Sequence, residues 1–153
     1  MARSWLAPRR TSASVTERIF VDTNVLVHAH DLDGEVKRAI AEHVLRQLWA
    51  DETGVLSAQV LQEFYAALTT GVASPVPRRA ARDLVQAYSV WPIVMLDAAD
   101  LLSASDCEER YRLPFRDSLI VAAARKASAT LLLSEHMQPF RPINGLEVRN
   151  PFA

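Results

Sequence analysis

Apolar and polar positions fall into short blocks along this chain. Ile19-Phe20-Val21 is a β-prone apolar run that stops at Asp22, and Thr23 to His30 loses the alternation that a half-buried strand would show. The pattern predicts a strand and then a turn into a short helix. From Glu35 to Trp49, Val36, Ile40, Val44 and Leu48 recur at every fourth position with Ala41 and Leu45 beside them, which is one face of an amphipathic helix. Gly54 to Ser57 reads as a second strand, and Ala58 to Thr70 as a helix with Val60, Leu61, Phe64, Tyr65 and Leu68 on one stripe. Gly71, Pro75 and Pro77 end that helix, and Arg78 to Tyr88 begins another directly after a proline. Trp91 to Leu96 is the third expected strand, interrupted at its start by Pro92. Helices are expected over Ala98–Tyr111 and Phe115–Lys126, a fourth strand over Thr130–Leu133, and a fifth near an edge over Leu146–Val148.

Short strands separated by helices, apolar on both faces, indicate an α/β fold in which helices cover both sides of a parallel sheet of four or five strands. In such sheets binding sites form beyond the carboxyl ends of the strands. The residues at those ends are therefore the first place to look for chemistry.

Composition adds limits. At 153 residues the chain reads as a single domain, long enough to bury roughly two-thirds of the surface its unfolded form would expose. Half the residues are apolar, 23% are charged, and the net charge is -1, so any polyanion must be met by a local patch rather than by the protein's overall field. The one cysteine, Cys107, permits neither an intramolecular disulfide nor a zinc-knuckle spacing, which fits a reducing cytoplasm. No apolar run approaches the roughly 18 residues of a membrane helix. Residues 1–18 are polar, rich in small residues and broken by Pro8, and read as a disordered tail. A basic arm that meets a polyanion through Arg3, Arg9 and Arg10 is the alternative.

Three acids lie at or just beyond strand ends. Asp22 follows the first strand, Glu63 sits in the helix after the second and outside its apolar stripe, and Asp117 occupies the first turn of a helix whose middle is apolar almost all round. Ser134, Glu135 and His136 follow the fourth strand. Each acid taken singly also reads as a helix cap or a solvated surface residue. Brought together by a parallel sheet they would repel, by about 4 kcal/mol for a pair roughly 4 Å apart at an effective dielectric near 20, unless a cation intervenes. Oxygen-only ligands suit Mg2+ or Mn2+.

The runs IFVDTNVLV, SAQVLQEFYAAL, PFRDSLIVAAA and LLLSEHMQPFRPINGLEVRNPF resemble, in order and spacing, the successive motifs of the PIN-domain family, and in particular the VapC-type toxins of bacterial toxin–antitoxin pairs. The likeness runs from Ile19 to Phe152. It implies a parallel α/β/α sandwich and a Mg2+- or Mn2+-dependent endoribonuclease, usually a homodimer restrained by a cognate antitoxin. By that likeness Asp22, Glu63 and Asp117 match the metal-binding acids, Thr23 and Asn24 the polar residues bracing the first of them, and Ser134 a small hydroxyl beside the site. Relatives commonly have an aspartate where this chain has His136. The histidine therefore reads as a neutral metal ligand, as a bystander, or as the mark of a catalytically weakened module that binds antitoxin or RNA without efficient cleavage. Arg116, and Arg78, Arg79 and Arg82 on the preceding helix, are candidates to meet an RNA phosphate; a solvated helix face is the other reading of those arginines. Trp49 and Tyr88 belong either to a homodimer face or to the core.

Two rivals are disfavoured. VDTNV has Asn24 where the nucleophile motif of haloacid-dehalogenase-like phosphatases needs a second acid, and glycines at 34, 54, 71 and 145 cannot form the G-x-G-x-x-G turn of a dinucleotide-binding fold.

Overall fold

The computed structural model describes residues 17–137 and 142–153. Its elements run β1 (Ile19–Val21), α1 (Thr23–His30), α2 (Glu35–Asp51), β2 (Gly54–Ser57), α3 (Ala58–Ala66) with a π-helical turn over Ala67–Gly71, α4 (Arg78–Tyr88), β3 (Ile93–Val94), α5 (Ala98–Tyr111), α6 (Phe115–Lys126), β4 (Leu131–Leu133) and β5 (Glu147–Arg149). All five strands are parallel, in the order β3-β2-β1-β4-β5.

That order determines the layers. The chain steps outward from β1 through β2 to β3 and then returns past β1 to β4 and β5. Because parallel crossovers are right-handed, reversing direction puts the helices on opposite faces: α1 to α4 on one, α5 and α6 on the other. β1, β2 and β4 are buried along their whole length, as strands covered on both sides must be. Phe20, Leu26, Leu48, Leu56, Phe64, Ile120 and Leu132 are among the largest fully buried side chains and join both layers to the sheet.

Several boundaries differ from the sequence reading. The third strand shrinks to Ile93 and Val94 because Trp91 folds over the start of β2, where a Cβ on Gly54 would lie 2.4 Å from its ring. The helix expected through Thr70 leaves α geometry after Ala66. The hydroxyls of Thr69 and Thr70 donate to the carbonyls of Tyr65 (2.9 Å) and Ala66 (2.8 Å), competing with the backbone ladder as the turn widens. Tyr88 is core, T-stacked on Phe64 and Trp91, whereas Trp49 is 43% exposed.

Arg18 belongs to the folded part rather than to a tail, since its carbonyl accepts from the Thr130 N–H at 3.1 Å and its guanidinium donates to the carbonyl of Ala127 at 3.2 Å. The rest of the expected tail before Glu17, including the arm of Arg3, Arg9 and Arg10, lies outside the described residues. Among the described residues no helix is long and apolar enough to cross a membrane.

Candidate active site

Connections leave β1 and β4 in opposite directions, so the crevice beyond their carboxyl ends is the topological switch point of the sheet. Val21 pairs with Leu133 in parallel register. The next residue on each strand, Asp22 and Ser134, therefore stand side by side.

Asp22 is the N-cap of α1, with Oδ1 accepting from the Thr23 N–H at 2.7 Å. Its own N–H donates to the Leu133 carbonyl at 2.9 Å, which fixes the backbone between two central strands. Oδ2 accepts from Asn24 Nδ2 at 3.1 Å and from the Ser134 hydroxyl at 2.8 Å. The residue is only 1% exposed. A carboxylate that deep is tolerable only when hydrogen-bonded and paired with positive charge, and the N-terminus of α1 contributes to both.

Glu63 arrives from the neighbouring strand. Ser57 caps α3 by accepting from the Val60 N–H at 3.2 Å, Phe64 is buried in the core, and Glu63 beside it is turned to the cleft, where Gln59 Nε2 donates to its Oε1 at 2.9 Å. Asp117 lies in the first turn of α6, where the helix dipole favours an acid.

These three carboxylates meet at one cation, and it belongs to the chain. Arg116 donates from Nη2 to Asp22 Oδ1 (2.9 Å) and Glu63 Oε2 (2.6 Å), from Nε to Glu63 Oε2 (3.0 Å), and from Nη1 to Asp117 Oδ1 (3.1 Å). It also reaches the Thr23 hydroxyl at 3.1 Å, and that hydroxyl lies 3.5 Å from Glu63 Oε2. Burial disfavours the charged guanidinium, but the hydrogen bonds and charges of Asp22 and Glu63 outweigh it, and the pKa of Arg116 is raised. The charge crowding expected from the sequence is thus compensated internally. Arg116, for which the sequence left open a substrate phosphate or a solvated helix face, is folded back among the acids.

The cleft has a volume of about 450 Å³ and is lined by Thr23, Asn24, Val27, His28, Glu63, Arg116, Asp117 and His136. His136 is 74% exposed at its rim and approaches Glu135 Oε2 at 3.7 Å. Glu135 is held by other groups: His28 Nε2 lies 2.6 Å from Oε2, Lys37 pairs with Oε1, and the backbone N–H of Glu135 donates to Asn24 Oδ1 at 3.0 Å. Burial pushes the Glu135 carboxyl up, the bonds from Lys37 and His28 push it down, and the net shift is downward. Neither His28 nor Lys37 stands out in the sequence as a site residue. The available signal was the i,i+4 spacing of Asn24 and His28, which puts both on one face of α1. Arg78, Arg79 and Arg82 stand on α4 and do not line this cleft; Arg82 borders a separate groove of about 700 Å³ between α3 and α4.

Over residues 19–136, more than half the chain, the sequence matches the model of the PIN domain. The chain belongs to the PIN-domain family. The fold of this PIN-domain protein is shared by a chain of a toxin–antitoxin complex from Klebsiella pneumoniae (18% identity, 88% of this chain and 98% of that one, TM-score 0.66). It is shared also by VapBC2 from Rickettsia felis, solved bound to a DNA fragment from its promoter (18%, 86% and 97%, 0.62), and by Mycobacterium tuberculosis VapC20, described as a sarcin-ricin loop cleaving toxin (22%, 74% and 86%, 0.55). None of the curated proteins matches the chain significantly.

PIN nucleases generally use divalent metals. Among the described residues no three or more His, Cys, Asp or Glu side chains are drawn together closely enough to hold an ion as they stand. The donor set nevertheless fits one. Three carboxylates from three elements already converge on a single positively charged group, and hard oxygen donors are what Mg2+ and Mn2+ require.

Proposed function

We propose that this PIN-domain protein is a divalent-metal-dependent endoribonuclease, the toxin of a type II toxin–antitoxin pair acting in the cytoplasm. The observation that carries this reading is the convergence of Asp22, Glu63 and Asp117 on one cation at the switch point of a parallel sheet. Kinship with the PIN domain, and a fold shared with the toxin VapC20 and with chains of the Klebsiella toxin–antitoxin complex and of VapBC2, support it.

Asp22, Glu63 and Asp117 would hold Mg2+ or Mn2+, which supplies Lewis-acid stabilisation of phosphoryl charge and a water of lowered pKa. The protein's own part is positional. Thr23, Asn24 and Ser134 fix both oxygens of Asp22, so its carboxylate needs no rearrangement when a cation arrives. Asn24 links Asp22 to the backbone of Glu135, which ties the β1 end of the cleft to its His28 and His136 side. A cognate antitoxin is the proposed protein partner.

A second reading is a catalytically weakened module that binds antitoxin or RNA. It is favoured by the guanidinium seated on the acids and by His136 at a rim position where the family resemblance implies an aspartate. Cleavage of a structured RNA under single-turnover conditions, with Mn2+ or with EDTA, separates the two. The nuclease reading expects cleavage that needs metal and is lost in Asp22→Asn and Asp117→Asn. Equal cleavage in EDTA, or none with metal, contradicts it.

A further inference from the structure

The geometry points to Arg116 as a built-in competitor for the metal: its guanidinium holds the three acids of the ion-free protein, and a divalent cation binds only by displacing it. The inference rests on the metal-site reading above and adds to it which group controls occupancy.

Three features carry it. First, the guanidinium is not a peripheral partner. It touches an oxygen of each of Asp22, Glu63 and Asp117, using Nε, Nη1 and Nη2 on three elements at once. A cation held by those carboxylates would compete with the guanidinium for Asp22 Oδ1, Glu63 Oε2 and Asp117 Oδ1. Second, those contacts are charge-assisted and several are short, so withdrawal has a real cost that metal binding must exceed. Third, there is an exit. The Arg116 side chain is 39% exposed, it lines the open cleft, and it springs from the first turn of α6 beside the exposed Phe115, so rotation of its own side-chain torsions would free the acids without moving the backbone.

Binding is then an exchange of one cation for another. The Asp22 side remains fixed by Thr23, Asn24 and Ser134 whether or not Arg116 is present, whereas Glu63 and Asp117 have fewer other ties and are the carboxylates free to close on an ion. Substituting Arg116 should therefore strengthen cation binding. A merely structural arginine would do the reverse, because removing it would loosen the site.

The test is direct measurement of Mn2+ affinity, by calorimetry and by the loss of free-ion electron paramagnetic resonance signal, on the full chain without RNA. Arg116→Gln is expected to bind Mn2+ about tenfold more tightly than wild type or better, because a like charge within a few ångströms of the ion is gone. Arg116→Lys, which keeps the charge but cannot fork between carboxylates, should fall between the two. Thermal melting guards against a folding defect: in EDTA Arg116→Gln should melt below wild type, and saturating Mn2+ should raise its midpoint by more than it raises that of wild type. Equal or weaker Mn2+ binding by Arg116→Gln overturns the competitor role while leaving the metal-site reading intact. Absence of Mn2+ binding in both proteins overturns both.

Discussion

The hydroxyl of Ser134 donates to Oδ2 of Asp22 at 2.8 Å, joining the residues that immediately follow β4 and β1. Both are almost completely buried, Asp22 at 1% and Ser134 at 0% exposure. The bond exists because Val21 and Leu133 are in register, so the sheet itself holds the carboxylate that stands deepest in the cleft.

Ser134→Ala removes this donor and leaves Oδ2 with Asn24 and a long contact to Arg116. We expect a loss of about 1–3 kcal/mol in urea-monitored unfolding, the cost of an under-satisfied buried acceptor. A loss below a few tenths would mean that water replaces the hydroxyl without penalty.

Internal compensation by Arg116 reverses a simple crowding expectation. Were the acids unneutralised, replacing one by its amide would stabilise the ion-free protein. With the guanidinium seated among them, Asp22→Asn in EDTA should instead destabilise by about 3 kcal/mol, as breaking a buried pair does. Asp117→Asn, at a more open position, should cost about 1 kcal/mol or less. Melting in EDTA ranks the variants; a higher midpoint for either contradicts the compensation.

Acid should weaken the fold in two steps. His30 is half-buried and its pKa is lowered by burial, against a smaller upward push from Glu42, so the folded protein disfavours the protonated ring and loses stability as pH falls below about 6.5. Glu135 titrates below its usual 4.5 despite partial burial, because Lys37 and His28 bind its charged form. Its contribution is present above about 4.5 and fades as pH falls through the lower folded value. Urea titrations over this range should show the stability gap between wild type and Glu135→Gln narrowing below about pH 4.5. A gap independent of pH would remove Glu135 as its source.

At the rim, His136→Asp adds an acid to the cleft wall. If three acids suffice for metal binding, the variant should change metal-dependent RNA cleavage by less than about threefold. An increase of tenfold or more, about 1.4 kcal/mol in the barrier, would show that the site lacks a needed fourth carboxylate.

Much of this was legible in the residues. Ile19-Phe20-Val21 and Leu131-Leu132-Leu133 are apolar throughout because both faces of a central parallel strand are covered, and that pattern marks them as strands. Glu63 breaks the apolar stripe of its helix, and in the fold it faces the cleft. Less was legible where tertiary packing decided. Trp91 and Pro92 read as strand, yet the indole is spent covering Gly54. Arg116 adjoins Asp117 in sequence, but nothing local tells that its long side chain crosses to Asp22 and Glu63 on two other elements. The partnership of His28 with Glu135 likewise exists only once α1 packs beside the end of β4.

Crystals soaked in Mn2+ and measured at the metal's absorption edge would probe the acid cleft most directly. We expect one anomalous peak among the carboxylates of Asp22, Glu63 and Asp117, with the Arg116 guanidinium withdrawn from all three. A cleft without a peak at saturating Mn2+, with Arg116 still bonded to Asp22 and Glu63, would contradict a metal-dependent nuclease.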